Sequence, residues 1–266
     1  MRVLVDAHMV GAHETGNETY VLNLLYELAK LSSVTCAATV SPDATIPERL
    51  LQSNLELISL KSTSDWARLA YALPMISKHW HADILHSTYI SPLFAPCAKI
   101  ATVHDVAFKR YPEFFSPRDR LLFTTLLPLA LRRVDGVITI SQHSKSEILK
   151  FFPYLKDKIY VTLVSASPNL FRLQDEKQFE DIQARYRIHS DFILAVGNLQ
   201  PRKNLRRLIE AFSRVYKQYS SLQLVIVGKA QWQASEIFTL VTELGLTDRI
   251  VFTSYVPDED LATLYN

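Results

Sequence analysis

Short apolar segments rich in β-branched residues alternate with helical segments along almost the whole chain. Up to residue 164 the pattern predicts strands at 2–7, 34–40, 55–60, 82–88, 98–106, 136–141 and 159–164. Helices are predicted between them at 18–31, at 64–80 with a kink at Pro74, and at 117–134 with a kink at Pro128. This alternation is typical of an α/β protein whose parallel sheet is covered by helices on both faces.

The strand pattern is interrupted at 165–190, where the chain becomes polar and charged. We therefore predict an N-terminal domain at 1–170, a linker at 171–190 and a second domain at 191–266. The second domain is predicted to contain strands at 192–198, 222–228 and 249–253, each followed by a helix, the last with Asp258 as its N-cap.

Three strands are about half of a six-stranded doubly wound unit, so we expect the second sheet to be incomplete. Two explanations are open. Either the chain is a fragment of a longer protein, or another polypeptide covers the exposed edge of the sheet.

Composition excludes several classes of protein. Lys and Arg number 29 against 27 Asp and Glu, a net charge of +2, so no basic field favours nucleic acid and any anion site must be local. The sequence has no signal-peptide pattern and no apolar run of roughly 18 residues that would span a membrane. We therefore predict a cytoplasmic protein. We expect no metal site, because the two cysteines and the group His79, His81 and His86 lack a ligand pattern.

Polar side chains stand at the carboxyl ends of several predicted strands, where ligands of parallel sheets collect. Asp6, His86 and Ser141 are each interpreted first as capping or structural residues. His104 and Asp105 are more informative, because a titratable pair directly after a buried strand can contact a ligand oxygen. The alternative for His104 is a structural histidine with its hydrogen bonds satisfied.

The segment AVGNLQPRKN contains adjacent cations where a predicted strand meets a predicted helix near Asn204. Arg202 and Lys203, together with the free N–H groups of that helix, could bind one anion such as a pyrophosphate. The alternative is that both side chains are merely solvated. Near the first helix, Gly11 and Gly16 do not form a GxGxxG dinucleotide motif, although a glycine there lets an anion approach backbone donors; a simple turn is the alternative.

Three segments resemble retaining GT-B glycosyltransferases of family 4, the "group 1" family, and its mannosyltransferase-type members most. These are VDAHMVGAHETGNETYVLNLLYEL, ATVHDVAFKRYPEFFSPRDRLLFTTLLPLALRRVDGVITISQHSKSEI and LAVGNLQPRKNLRRLIEAF. The resemblance implies two Rossmann-like domains that face each other across a cleft. It also implies transfer of a sugar from a GDP- or UDP-sugar to a glycan or lipid-linked acceptor in polysaccharide assembly.

The resemblance also implies roles for particular residues. Gly16, Gly197, Asn198, Arg202 and Lys203 would bind the donor, and Arg202 and Lys203 would neutralise the diphosphate leaving group. His104 would lie near the transferred sugar and act in catalysis. Because the cationic side chains would replace a divalent metal, no cofactor is expected.

Two features depart from the family pattern. A later segment with two glutamates and Gly-Phe-Gly would lie beyond Asn266, and SASPNLFR replaces Asn-Gly-Val-Asp at the linker. The alternative function is therefore a noncatalytic interaction module that pairs through its incomplete sheet.

The segment SPRDRLLFTTLLPLALRR mixes arginines with apolar residues, which suggests peripheral contact with the inner face of the membrane. The alternative is a helix packed on the sheet through five apolar residues, Leu121, Leu122, Leu126, Leu129 and Ala130.

Overall fold

A computed structural model describes residues 1–12, 16–165, 176–189, 191–219, 221–231 and 234–266. The chain divides into two compact units, Met1–Ser165 and Ala166–Asn266. The predicted end of the first domain at 170 and the start of the predicted linker, 171–175, lie outside the described residues.

Within the described residues, the first unit forms a seven-stranded parallel sheet in the order β3-β2-β1-β4-β5-β6-β7. Its strands are β1 (Arg2–Asp6), β2 (Thr35–Val40), β3 (Glu56–Ser59), β4 (Ile84–Thr88), β5 (Ala98–Thr102), β6 (Gly136–Thr139) and β7 (Ile159–Val161). Each coincides with a predicted strand, and the α/β prediction is confirmed. The strand order reverses between β1 and β4, which is the place where doubly wound sheets bind ligands.

Helices and helical turns connect these strands. The α-helices are α1 (Gly16–Ala29), α2 (Glu48–Leu51), α3 (Asp65–Ala67), α4 (Leu73–His79), α5 (Ala107–Arg110), α6 (Pro117–Arg133) and α7 (Gln142–Phe151). The predicted helix at 64–80 is observed as a continuous helical run, in which a π-helical segment, Arg68–Ala72, connects α3 and α4. Pro74 is the second residue of α4, so it lies just after the π-helical segment inside a continuous helical run.

Alternate side chains of the central strands enter two separate cores, as expected for a sheet covered on both faces. Leu4 and Leu85 pack with α4 and α6 on one face, and Val3 and Val5 pack with α1 on the other. On α6, the predicted packing of five apolar residues is only partly correct. Leu122, Leu126 and Ala130 contact the core, whereas Leu121 and Leu129 are exposed.

Contact of α6 with a membrane stays a prediction, for which the exposed Leu121 and Leu129 would be available. No helix among the described residues is both long and apolar enough to cross a bilayer.

The described part of the second unit contains a three-stranded parallel sheet in the order β10-β9-β8. Its elements are α8 (Glu176–Tyr186), β8 (Phe192–Val196), α9 (Leu205–Val215), β9 (Gln223–Val227), α10 (Ser235–Glu243), β10 (Ile250–Ser254) and α11 (Asp258–Leu264). The central strand β9 is buried along its whole length. Helices α9 and α10 pack on one face of the sheet, and α8 and α11 pack on the other.

Two predictions for the second unit need correction. The linker predicted at 171–190 contains α8, because Ile182 is buried against the sheet and Arg185 bonds Asp260 of α11 at 2.7 Å. Asp258 is not an N-cap but the first residue of α11. The extended residue before the helix is Pro257, and no side chain caps this helix end.

Two glycines meet where β8 and β9 end, and they generate a stability prediction. Gly228 has φ +145°, and a Cβ there would overlap the carbonyl of Gly197. Gly228→Ala should therefore destabilise the second unit by about 3 kcal/mol, since both strain and overlap must be relieved. Thermal unfolding followed by circular dichroism measures this.

The matched control is Gly16→Ala, because a Cβ at Gly16 meets no atom of the described residues within 4 Å. The steric argument for Gly228 is wrong if the two variants unfold at the same temperature.

Candidate functional site

The carboxyl edge of the first sheet contains Asp6, which is buried at the end of β1. Arg68 donates to its Oδ2 atom, while His8 Nδ1 and Thr39 Oγ1 lie 3.1 and 3.5 Å from Oδ1. Burial alone would raise the pKa of Asp6, but the charges of His8 and Arg68 outweigh it and hold this pKa below its usual value. Asp6 is therefore an ionised anchor for the loop that follows β1.

On the opposite face of the sheet, β4 and β5 place two polar side chains beside α1. The imidazole Nε2 of His86 lies 2.8 Å from Thr102 Oγ1, and the hydroxyl of Tyr20 lies 3.1 Å from the same oxygen. Burial lowers the pKa of His86 to about 4, so this imidazole is neutral at neutral pH. Sequence reasoning found His86 but missed Tyr20 and Thr102, since neither belongs to a recognisable motif.

His104 follows β5 by two residues, and its ring lies between two tyrosines. The ring centroids of Tyr20 and Tyr89 are 4.7 and 5.7 Å from that of His104, both edge to face. Burial lowers the pKa of His104, opposed by the charge of Asp105. Its Nε2 atom is buried and has no hydrogen-bond partner among the described residues. The role of His104, in ligand contact or as a structural histidine, stays a prediction.

Other predicted residues at this edge have structural roles. Asp105 accepts a hydrogen bond from the amide of Ala107, the first residue of α5, and Ser141 caps α7 by accepting from the amide of Ser144. Gly11 has φ +82°, and its amide donates to Glu18 Oε1 at 2.7 Å. Gly16 begins α1 with open space around it, but residues 13–15 before it lie outside the described part of the chain.

In the second unit, the loop after β8 brings Gly197 and Lys203 together. The position of a Cβ on Gly197, which has φ +147°, would be 3.3 Å from Cε and 3.6 Å from Nζ of Lys203. The ammonium group therefore lies over bare backbone at the carboxyl end of the strand. Asn198 is buried below this loop, and its Oδ1 atom accepts from the amide of Lys229 at 3.1 Å, which ties the loops after β8 and β9.

Arg202 and Lys203 lie in a short 3-10 turn, Pro201–Lys203, and are both exposed. Arg202 Nε donates to Gln200 Oε1 at 2.9 Å. Asn204 adopts the left-handed conformation, and α9 begins at Leu205 without a side-chain cap, which agrees with the predicted helix start. Among the described residues, no carboxylate forms an ion pair with either cation. The turn can thus offer two positive charges to an anion.

Solved structures have a similar fold. Anabaena HepE in complex with UDP and glucose has a TM-score of 0.69 and 18% identity, covering 99% of this chain and 71% of HepE. Sucrose-phosphate synthase from Thermosynechococcus elongatus has a TM-score of 0.71 and 19% identity, covering 99% of this chain and 72% of the synthase. The fold is the GT-B fold of glycosyltransferases.

Family models define the class more closely. The model for Glycosyltransferase Family 4 matches residues 15–162, and the model for Glycosyl transferases group 1 matches residues 177–266. The chain belongs to Glycosyltransferase Family 4, as the resemblance implied.

Curated relatives are similar at low identity. O-antigen chain mannosyltransferase B of Escherichia coli is 28% identical over 168 residues, which cover 62% of this chain and 44% of the relative. O-antigen chain mannosyltransferase RfbU of Salmonella typhimurium is 24% identical over 276 residues, which cover 99% of this chain and 73% of RfbU. The chain therefore spans less than half of the first relative and about three quarters of the second.

The ion pair at Asp6 generates a stability prediction. Arg68→Met would leave a buried carboxylate without its cation, so we expect a loss of about 3 to 5 kcal/mol in the free energy of unfolding. Urea denaturation measures this. Arg118→Met is the matched control, because Arg118 pairs with Asp65 at 3.3 Å but is exposed, and it should leave the midpoint unchanged. Equal midpoints for both variants would contradict a stabilising role for the buried pair.

The neutral state of His86 predicts how the stability of the folded protein depends on pH. Its pKa of about 4 in the folded protein is below the ordinary 6.5, so between these values only the unfolded chain binds the proton. Stability should therefore fall as the pH drops from about 6.5 to about 4, by up to about 1.4 kcal/mol per pH unit. His86→Gln should reduce this slope, whereas His143→Gln, at an exposed position of α7, should not. The prediction is wrong if the unfolding midpoint changes with pH to the same extent in the wild-type protein, His86→Gln and His143→Gln.

Proposed function

We propose that the protein transfers a sugar from a nucleoside diphosphate sugar to a glycan or lipid-linked acceptor, with retention at the anomeric carbon. One observation supports this most strongly. Lys203 lies over the bare backbone of Gly197 in the same turn as Arg202, directly before the uncapped start of α9. An anion bound there would receive two cations and the free N–H groups of one helix.

The chemistry of glycosyl transfer explains why such a turn would be needed. As the anomeric bond breaks, negative charge accumulates on the departing nucleoside diphosphate. Groups already aimed at this charge stabilise the transition state more than the ground state, which raises the rate. In this proposal Arg202 and Lys203 take the place of a divalent metal, while Gly197 and Asn198 keep the loop open and fixed.

Residues of the first unit would have a different task. The Nε2 atom of His104 is buried without a partner among the described residues, and burial lowers the pKa of this imidazole. A neutral imidazole suits an uncharged sugar hydroxyl better than a phosphate. We therefore propose that His104 contacts the transferred sugar. Gly16, at the open start of α1, would let the donor approach backbone amides.

Names of relatives and neighbours indicate which donors to test. Two of the relatives are O-antigen chain mannosyltransferases, which favours GDP-mannose and a polysaccharide acceptor. HepE was solved with UDP and glucose, so UDP-glucose is the second donor. The interaction-module alternative stays a prediction, as does the location in the cytoplasm or at the inner face of the membrane.

The two cations generate the central functional prediction. Replacing Arg202 and Lys203 together by alanine should lower kcat/KM at least about 100-fold, because the charge of the leaving group loses its partners. The double variant should also lose affinity for free GDP or UDP, measured by calorimetry. Transfer is measured as release of nucleoside diphosphate from GDP-mannose or UDP-glucose.

A matched control has the same loss of charge. Arg206 and Arg207 are exposed in the first turn of α9, and replacing both by alanine should change kcat/KM and nucleotide affinity little. If the Arg202 and Lys203 double variant binds and turns over like this control, the assignment of the diphosphate site is wrong.

A further inference from the structure

Tyr20, Thr102 and His86 form a hydrogen-bonded chain whose direction can be worked out. Thr102 Oγ1 lies 3.1 Å from the Tyr20 hydroxyl and 2.8 Å from His86 Nε2. Thr102 is fully buried and has one hydroxyl hydrogen, so it can donate to only one of the two. His86 is neutral, and its proton is on either Nε2 or Nδ1. The Nδ1 atom is buried and has no partner among the described residues.

Three arrangements of the hydrogens are compatible with these positions. In the first, Tyr20 donates to Thr102, Thr102 donates to His86 Nε2, and the buried Nδ1–H has no acceptor. In the second, Tyr20 and His86 Nε2–H both donate to Thr102, and the buried threonine hydroxyl has no acceptor. In the third, His86 Nε2–H donates to Thr102, and Thr102 donates to the oxygen of Tyr20.

Only the third arrangement gives an acceptor to the donors of both buried residues, His86 and Thr102, and the one hydrogen it leaves open belongs to the half-buried Tyr20. It leaves the Nδ1 lone pair of His86 unused, and an unused acceptor is tolerated better than an orphaned N–H or O–H. Its other consequence concerns Tyr20. Because the tyrosine oxygen now accepts from Thr102, its own hydrogen must point away from Thr102.

The ring of Tyr20 is also in contact with His104. The Tyr20 ring meets the His104 ring edge to face, with centroids 4.7 Å apart, and both side chains are only half-buried. Burial raises the pKa of Tyr20, so the hydroxyl keeps its hydrogen at neutral pH. The strand order reverses beside β4, which places this pair where the fold binds ligands.

We propose that Tyr20 is a second sugar-binding residue, which donates a hydrogen bond to an oxygen of the same sugar that His104 contacts. His86 and Thr102 act as positioning residues, because they turn the tyrosine hydrogen toward the ligand. This proposal rests on the proposed function and deepens it, since it assigns a neutral sugar oxygen, rather than phosphate, to Tyr20. His86 itself does not touch the substrate.

The position of the proton on His86 is the first test. Long-range proton–nitrogen NMR spectra of protein labelled with ¹⁵N-histidine distinguish the two neutral tautomers, and His86→Gln identifies the resonances of His86. We expect the proton on Nε2 at pH 7. A proton on Nδ1 would overturn the proposal, whether or not the protein is a transferase.

The second test compares ligands with and without a sugar. Tyr20→Phe should lower kcat/KM for GDP-mannose or UDP-glucose about three- to tenfold, the effect of one lost hydrogen bond. It should leave the affinity for free GDP and UDP unchanged, because these ligands lack the sugar. Tyr26→Phe, on the same helix but with its ring under Arg49, is the matched control and should change neither value.

Outcomes of the two tests separate this proposal from the proposed function. If the wild-type protein uses a donor and Tyr20→Phe has the same kcat/KM for it, the proposed role of Tyr20 is wrong. The proposed diphosphate site is not affected by that result. If Tyr20→Phe weakens free GDP or UDP as much as the sugar donors, the assignment to the sugar is wrong. If wild-type protein neither binds nor uses either donor, the proposed function fails and the ligand assignment fails with it.

Discussion

Desolvation of polar side chains at the carboxyl edge of the first sheet governs the chemistry of that unit. A charge removed from water must be paired, and Asp6 accordingly keeps its charge through Arg68 and His8. An imidazole without a comparable partner becomes neutral instead, which is what burial does to His86 and His104. The edge therefore presents neutral hydrogen-bonding groups beside an Asp6 carboxylate whose charge is compensated by its neighbours.

In the second unit the candidate charged side chains are exposed to water rather than buried. Its two candidate cations, Arg202 and Lys203, are exposed on a short turn, and Lys203 lies over the bare backbone of Gly197. Exposed positive charge next to a helix start suits a diphosphate, whereas neutral imidazole and phenol groups suit a sugar. Each unit, taken by itself, thus offers a different environment: neutral hydrogen-bonding groups in the first and exposed cations in the second.

Much of the fold could be predicted because local patterns decide it. Apolar runs marked every strand of both sheets, and the loop between Gly197 and the helix near Asn204 was expected from glycine, proline and the change of period. The linker prediction failed at α8, whose few apolar residues are separated by charges. Only the contacts of Ile182 with the sheet and of Arg185 with Asp260 show that this helix belongs to the second unit.

By itself, the sequence determined the α/β class, the strand positions and the identity of His104, Arg202 and Lys203 as candidates. These follow from periodicity and from residue chemistry, which act over a few neighbouring positions. The tertiary structure alone decided that Tyr20 and Thr102 meet across 82 residues, and that Lys203 lies over Gly197. Such contacts depend on strand register and on the packing of α1, and the direction of a hydrogen bond depends in turn on which buried donors remain unsatisfied.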